Sequence, residues 1–224
     1  MRYYDSIPRV QDDGTLLGED VWAFNKLDGQ NLGVRYSAKR NEFINFISRH
    51  RQVDENDSQF GLAVRYFKER YEEHLKQIIA NNSGKKGLFN GAQEIMFFFE
   101  WYGENSFAGF HMDGDELNLY LIDVFIAKKG YIEPKDFYGI FCQDNVILTP
   151  ELIYRGKLTK GFIEAIRNND WTIEGCEFPT VKEGVVCRRS SLMKGQRMPK
   201  CKFKTLWWLT KLKERYPDKW EELE

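Results

Sequence analysis

Val21-Trp22-Ala23-Phe24-Asn25-Lys26-Leu27-Asp28-Gly29-Gln30-Asn31-Leu32-Gly33-Val34-Arg35-Tyr36 is the stretch on which the fold is decided. Two short apolar runs, Val21 to Phe24 and Leu32 to Tyr36, flank the polar punctuation from Lys26 to Asn31, which reads as strand, tight turn, strand. The turn opens on a lysine and contains a glycine. An amine at a strand end can reach a phosphate, and it becomes a nucleophile once its charge is suppressed or its attack is electrostatically assisted. Taken alone, Lys26-Leu27-Asp28-Gly29 is weak: K-x-D-G arises by chance in about one chain in twenty of this size, and the plain alternative is a hairpin with a solvated lysine.

Outward from this stretch the periodicity changes. Phe60, Val64, Phe67, Tyr71, Leu75 and Ile78 recur at helical spacing with Lys68, Glu69, Glu72 and Glu73 on the other side. That pattern predicts an amphipathic helix from about Ser58 to Ala80, ended by Asn81-Asn82-Ser83-Gly84. Ile95–Trp101 and Leu117–Ala127 are continuous apolar, β-prone runs and are expected as neighbouring buried strands. A short helix is expected over Thr159–Asn168, a strand over Glu183–Arg189, and a closing helix over Leu206–Tyr216, stopped by Pro217. The sum is a mixed, largely antiparallel α+β chain without repeats or linkers. We expect one domain over residues 1–205, with 206–224 as a helical tail packed on it.

Two further segments carry chemistry. Lys182-Glu183-Gly184-Val185-Val186 places a carboxylate where a strand begins and a glycine where a ligand or backbone can come close. E-G-V-V is expected by chance in fewer than about one such chain in a hundred. In Lys202-Phe203-Lys204-Thr205, alternation puts both lysines on one face of an extended segment, although a lone K-x-K also fits a solvated edge strand.

The order of these pieces is the informative feature: lysine turn, buried strand bearing Glu100, second buried strand, E-G-V-V, then K-x-K. This order resembles the covalent nucleotidyltransferases, the superfamily of polynucleotide ligases and RNA capping enzymes. Within it the chain is most similar to ATP-dependent RNA ligases of the RNA ligase 2 type. Ser37-Ala38-Lys39-Arg40-Asn41 follows the turn where that family carries A-K-R-T, and Asn31 matches its K-x-x-G-x-N turn. The stretch from Phe99 to Gly109 is similar to the family's F-G-E-x-x-G-P region, with Glu100 as its acid and Glu104 as the rival. The chain departs from the pattern at Ile122, where many relatives have an aromatic residue, and at Asp28, where the phage RNA ligase has histidine and DNA ligases have aspartate.

The resemblance implies an α+β, ATP-grasp-like nucleotidyltransferase domain of mainly antiparallel sheets with flanking helices. About twenty residues follow Lys204, so no OB domain is expected. It implies an enzyme that joins 3′-OH and 5′-phosphate ends through a lysyl-AMP on Lys26, with ATP as AMP donor and Mg²⁺, or Mn²⁺ in its place. Lys202 and Lys204 would hold the α-phosphate, Asn31 and Arg40 would contact the nucleotide, and Ile122 and Val186 would enclose the adenine. Glu183 and Glu100 would hold the metal. Arg188, Arg189, Lys194, Arg197 and Lys200 form a local basic cluster expected to meet RNA ends or a nicked duplex. The alternatives are a minimal DNA ligase and, in a different class, a nucleotide- or nucleic-acid-binding module without turnover.

Composition limits the other possibilities. Thirty-three Lys and Arg against 34 Asp and Glu give a net charge of −1, so binding to nucleic acid must come from a patch and not from the whole molecule. Cys142, Cys176, Cys187 and Cys201 show no C-x-x-C spacing, and His50, His74 and His111 are scattered, which argues against a zinc site. Without a secretory signal or a long apolar run, a cytoplasmic monomer of a bacterial cell or phage-infected host is expected, with a partner protein as one source of extra nucleic-acid binding. Trp207-Trp208 reads as a helix packing on the domain more readily than as a base-stacking platform.

Overall fold

The computed structural model describes residues 2–170, 181–191 and 199–223. Ten strands are described: β1 Asp20–Lys26, β2 Gly29–Ser37, β3 Glu42–Ile47, β4 Gln52–Val53, β5 Glu94–Gly103, β6 Leu117–Ile126, β7 Gly130–Tyr131, β8 Leu152–Lys157, β9 Gly184–Arg189 and β10 Lys200–Lys204. They pair antiparallel in two sheets, one ordered β4-β3-β2-β5-β6-β7 and the other β10-β9-β1-β8. The helices are α1 Gly61–Tyr66, α2 Glu72–Asn81, α3 Pro134–Phe137, α4 Lys160–Asn168, α5 Leu206–Arg215 and α6 Trp220–Leu223. The fold is therefore α+β with mainly antiparallel sheets, as the sequence predicts. The chain forms two compact units: Met1–Asp5, Gly29–Asn105 and His111–Thr149 make the first, and Ser6–Asp28, Ser106–Phe110 and Pro150–Glu224 the second.

The first unit is built on the six-stranded sheet. The apolar run Ile95–Trp101 becomes β5, which pairs with β6 from Ile95↔Ile126 to Gly103↔Leu117, so the two apolar runs are neighbours as expected. The predicted long helix is present as α1 and α2 joined by a π turn over Phe67–Tyr71. Its apolar stripe packs on the sheet through Phe67 against Phe43 (4.9 Å between ring centroids) and Phe99 (5.6 Å), and Tyr71 donates to the Leu119 carbonyl (2.7 Å). Alternation leaves Asn31, Glu100 and Tyr120 in one cross-strand row on the other face.

The second unit is built on the four-stranded sheet. Alternation sends Val21 and Ala23 of β1, Val185 and Cys187 of β9, and Cys201 and Phe203 of β10 into one core with Phe162, Ile163 and Ile166 of α4. Thr159 caps α4 by accepting from the Phe162 N–H at 3.1 Å. The alternate residues of these strands face the opposite side in registered rows. Lys26, Gly184 and Lys204 form one, Phe24, Val186 and Lys202 the next, and Trp22, Arg188 and Lys200 the third.

The strand, tight turn and strand expected over residues 20–36 are present, and the alternative of a hairpin is what the structure excludes. β1 and β2 are consecutive but belong to different sheets, so Leu27-Asp28 is a crossover and not a hairpin turn.

Gly184 is where the second sheet is most tightly specified. Its φ is +154°, and a Cβ there would lie 2.7 Å from Lys204 Cα and against the Phe203 carbonyl. Gly184→Ala is therefore expected to destabilise the protein by about 1–3 kcal/mol through backbone strain and overpacking. A shift of the urea midpoint at unchanged slope measures this, and an unshifted midpoint would mean that β10 can move aside.

Candidate active site

The site begins with the row Lys26, Gly184, Lys204, in which glycine leaves two lysines with no side chain between them. Glu183, immediately before β9 and 3% exposed, fills that role with its carboxylate. Its Oε2 lies 2.9 Å from Lys26 Nζ and its Oε1 lies 3.0 Å from Lys204 Nζ. Three residues separated by up to 178 positions thus share one ion-pair network inside the second unit, as the motif order predicts. Burial alone would raise the Glu183 carboxyl, but Lys26 and Lys204 outweigh it and hold it below its ordinary value. Lys204 is buried as well, and burial pushes its ammonium below its ordinary value despite Glu183. It also donates to the Leu223 carbonyl (3.2 Å) and stands 3.8 Å from the centroid of the Trp208 ring.

Asp28 completes the cluster. It is 9% exposed, accepts from the Gly109 N–H through Oδ1, and leaves Oδ2 buried without a hydrogen-bond partner among the described residues. Burial, and then the negative charge of Glu183, push its carboxyl up to about 6, against the pull of the Gly109 and Ala108 N–H groups and of Lys26. The Gly109 N–H belongs to a tight turn over Phe107 and Phe110, which exchange two backbone bonds of 3.1 Å around Ala108 (φ 53°) and Gly109 (φ 74°). Positive φ at both central positions turns successive N–H groups toward one anion.

The other sequence-predicted residues divide between the units. Lys202 and Val186 share a row next to Lys204, on the same face. Asn31, Arg40, Glu100 and Ile122 belong to the first unit. Asn31 faces Glu100 across β2 and β5 and donates to the Phe99 carbonyl at 3.1 Å. Ile122 is the extra residue where the β5/β6 register shifts between Phe98 and Phe99. Arg40 is exposed, with Glu42 3.5 Å away. Glu104 lies exposed in the turn after β5, while Glu100 is half-buried within the strand.

Of the basic cluster, Lys200 is half-buried on the lysine face and Arg189 pairs with Glu19 at 2.8 Å. Arg188 is not a surface charge: it is 3% exposed with its guanidinium 5.1 Å from the Phe24 ring centroid. Lys194 and Arg197 lie outside the described residues. Among the described residues no group of three or more His, Cys, Asp and Glu side chains is gathered as a metal cage. None of their helices is long and apolar enough to cross a membrane. The sequence assigns no chemical role to Asp28, Thr205 or the Phe107–Phe110 turn, and Trp208 reads there as packing only. The signals were the aspartate of K-x-D-G and the Ala-Gly pair between two phenylalanines.

A family model for RNA ligases matches residues 19–204. The chain belongs to the RNA ligase family. Solved structures of Naegleria gruberi RNA ligase share its fold at low identity. The complex with PPi matches with a TM-score of 0.62 at 17% identity, over 96% of this chain and 59% of that one. A mutant with AMP and Mn gives 0.61 and 16% over 94% and 58%, and a mutant with ATP and Mn gives 0.61 and 15% over 94% and 57%. This RNA ligase family chain thus spans less than two thirds of the length of those proteins. A search of the curated proteins found no match.

The raised Asp28 carboxyl gives a pH-dependent stability. A carboxyl lifted from 3.8 to about 6 on folding holds its proton more tightly in the folded state, so stability falls as pH rises between those values and stays lowered above them. Asp28→Asn, which keeps the acceptor for Gly109, is expected to stabilise the protein by about 1–3 kcal/mol above pH ~6 and to lose that advantage below pH ~4. Thermal melts in chelator across this range test it, and a gain that does not vary with pH would contradict the electrostatic origin.

Proposed function

We propose that the protein is an ATP-dependent RNA ligase that works through a lysyl-AMP on Lys26. The observation that carries this reading is the Lys26–Glu183–Lys204 network, which sets an amine, a carboxylate and a second cation around one glycine. The family match and the fold shared with an RNA ligase solved with ATP, AMP and PPi support it.

In the first step Lys26 Nζ attacks the α-phosphorus of ATP, an N–P bond forms, and the P–O bond to pyrophosphate breaks. One proton must leave Nζ first, and Glu183 Oε2, 2.9 Å away, is an acceptor already in place. Negative charge grows on the phosphate oxygens, and Lys204 and Lys202 meet it from one strand face. The Leu223 carbonyl is the neutral partner of Lys204 and the one a phosphate oxygen would replace. Val186 and Ile122 are the apolar contacts proposed for adenine, Asn31 and Glu100 those for the ribose, and Arg40 the one for the 5′-phosphate. AMP then passes to a 5′-phosphate, and a 3′-hydroxyl displaces it.

A divalent cation also fits. Asp28 and Glu183 offer oxygen donors, Asp28 with a buried Oδ2 that has no hydrogen-bond partner among the described residues and a carboxyl raised in part by the charge of Glu183. Glu100 in the first unit is a third candidate. Magnesium is commonly held by one or two carboxylates together with phosphate oxygens and water, so no three-residue cage is required. When bound it would neutralise phosphate charge. Beyond the nucleotide, Lys200 and Arg189 are the cations proposed to meet RNA.

Incubation with ATP and magnesium followed by intact mass measurement is expected to show one added AMP, absent in Lys26→Ala. A Lys26→Ala protein that still joins strands from ATP would sink the covalent route. Nicked duplexes that differ only in the sugar at the 3′ side are expected to seal at least ~10-fold faster with ribose, the discrimination a buried hydroxyl contact supplies. Equal sealing would replace RNA with polynucleotide in the assignment.

A further inference from the structure

The family match ends at Lys204, yet the chain beyond it is fastened to the site. Thr205 is fully buried and caps α5, accepting from the Trp208 N–H (3.1 Å) and donating through Oγ1 to the Lys182 carbonyl (2.7 Å). Its own N–H donates to the Glu183 carbonyl at 2.9 Å. One threonine therefore fixes where the first turn of α5 stands relative to the backbone of Glu183 and Lys204. Trp208, one helical turn on, is 2% exposed and lies against Lys204 Nζ, 3.8 Å from ring centroid to nitrogen. Phe107 stacks on the same indole at 5.7 Å and 29°, and it is held by the turn whose Gly109 N–H binds Asp28.

The indole N–H is buried without a hydrogen-bond partner among the described residues. Leaving such a donor unpaired is unfavourable, so a residue that only filled this volume would do better as leucine. What the position uses is the π face, whose negative quadrupole attracts an ammonium without taking one of its hydrogens in a directed bond. Lys204 needs such a support. It is a long side chain with four torsions, stripped of water, and apart from Glu183 its hydrogen-bond acceptor is the neutral Leu223 carbonyl.

We propose that Trp208 is a positioning residue for Lys204: its indole face, backed by Phe107, holds the ammonium beside Glu183 ready for the incoming phosphate. The inference rests on the reading of the site as one that forms lysyl-AMP, and it adds a residue outside the family's matched region. Because the support acts where charge develops, its loss lowers the rate of adenylylation more than the affinity for ATP.

The full chain is compared with Trp208→Leu, which keeps apolar bulk without a π face, and with Trp208→Phe, which restores one. Single-turnover formation of the AMP adduct is expected to fall tenfold or more in Trp208→Leu with the ATP concentration dependence changed less than threefold. Trp208→Phe is expected to recover most of that rate. A Trp208→Leu rate equal to wild type overturns the proposal, as does an equal fall in both variants, which would mark a shape-specific packing role. A second measurement is independent of activity. In protein labelled with ¹³C-lysine, the ε-methylene resonance of Lys204, assigned by its absence in Lys204→Arg, is expected to be shifted upfield by the indole ring current in wild type. It is expected to stay shifted in Trp208→Phe and to relax in Trp208→Leu. An unshifted wild-type resonance overturns the proposal even if Trp208→Leu does not fold. A wild-type protein with the shift but without any adduct overturns the ligase reading and leaves the support of Lys204 by Trp208 in place.

Discussion

Everything in the second unit that bears on chemistry depends on one carboxylate shared by two ammonium groups across a glycine. Glu183 reaches Lys26 and Lys204 at hydrogen-bond distance while almost wholly buried. Such a network is weak evidence for stability, because taking three charges out of water costs about as much as their mutual attraction returns. Its value is geometric. Each lysine is long enough to wander, and a common acceptor holds both to positions set by strand register. Adding Asp28, ionised above about pH 6, brings the cluster of two cations and two anions to zero net charge. A neutral cluster needs no counter-ion at rest, and it can accept a polyanion together with a cation without a large change in buried charge.

The supports around that carboxylate come from segments far apart in sequence. Gly184 allows β9 and β10 to approach where the cluster sits. Thr205 bonds to the carbonyls of Lys182 and Glu183, one on each side of the Glu183 Cα. The turn from Phe107 to Phe110 serves both ends at once, through an N–H to Asp28 and a ring to Trp208. Ala108 at φ 53° is an uncommon conformation for a residue with a Cβ, and the two reciprocal backbone bonds of the turn compensate for it.

Much of this was legible in the residues, and the limits are physical. The helix from Gly61 to Asn81 and the pairing of β5 with β6 follow from apolar periodicity, because burial on one face or on two leaves different spacings. The convergence of Lys26, Glu183 and Lys204 followed from the order of three short motifs. What periodicity does not encode is the partner of a strand. The alternation of residues 20–37 is the same whether β2 pairs with β1 or, as here, with β3 and β5. Charged residues mislead in the same way. Arg188 reads as a surface cation, yet on the lysine face of β9 it lies buried over Phe24. Asp28 reads as a turn residue, and only its three-dimensional neighbourhood shows a carboxyl raised by burial and by Glu183. Trp208 reads as a packing residue of α5, and nothing local announces that Lys204 lies on its ring.

The lysines of β10 are not equivalent, and this follows from their rows. Lys204 is beside Gly184, buried, and held by a carboxylate, a carbonyl and an indole. Lys202 is beside Val186 and Lys200 beside Arg188, and both are only half-buried. A desolvated, fixed cation interacts strongly with charge that develops at one place and needs little reorganisation when it does. A partly hydrated cation interacts less strongly but tolerates variation in where its partner lies. One strand of alternating lysines therefore grades from a rigid, buried charge near Lys26 to half-buried charges farther along.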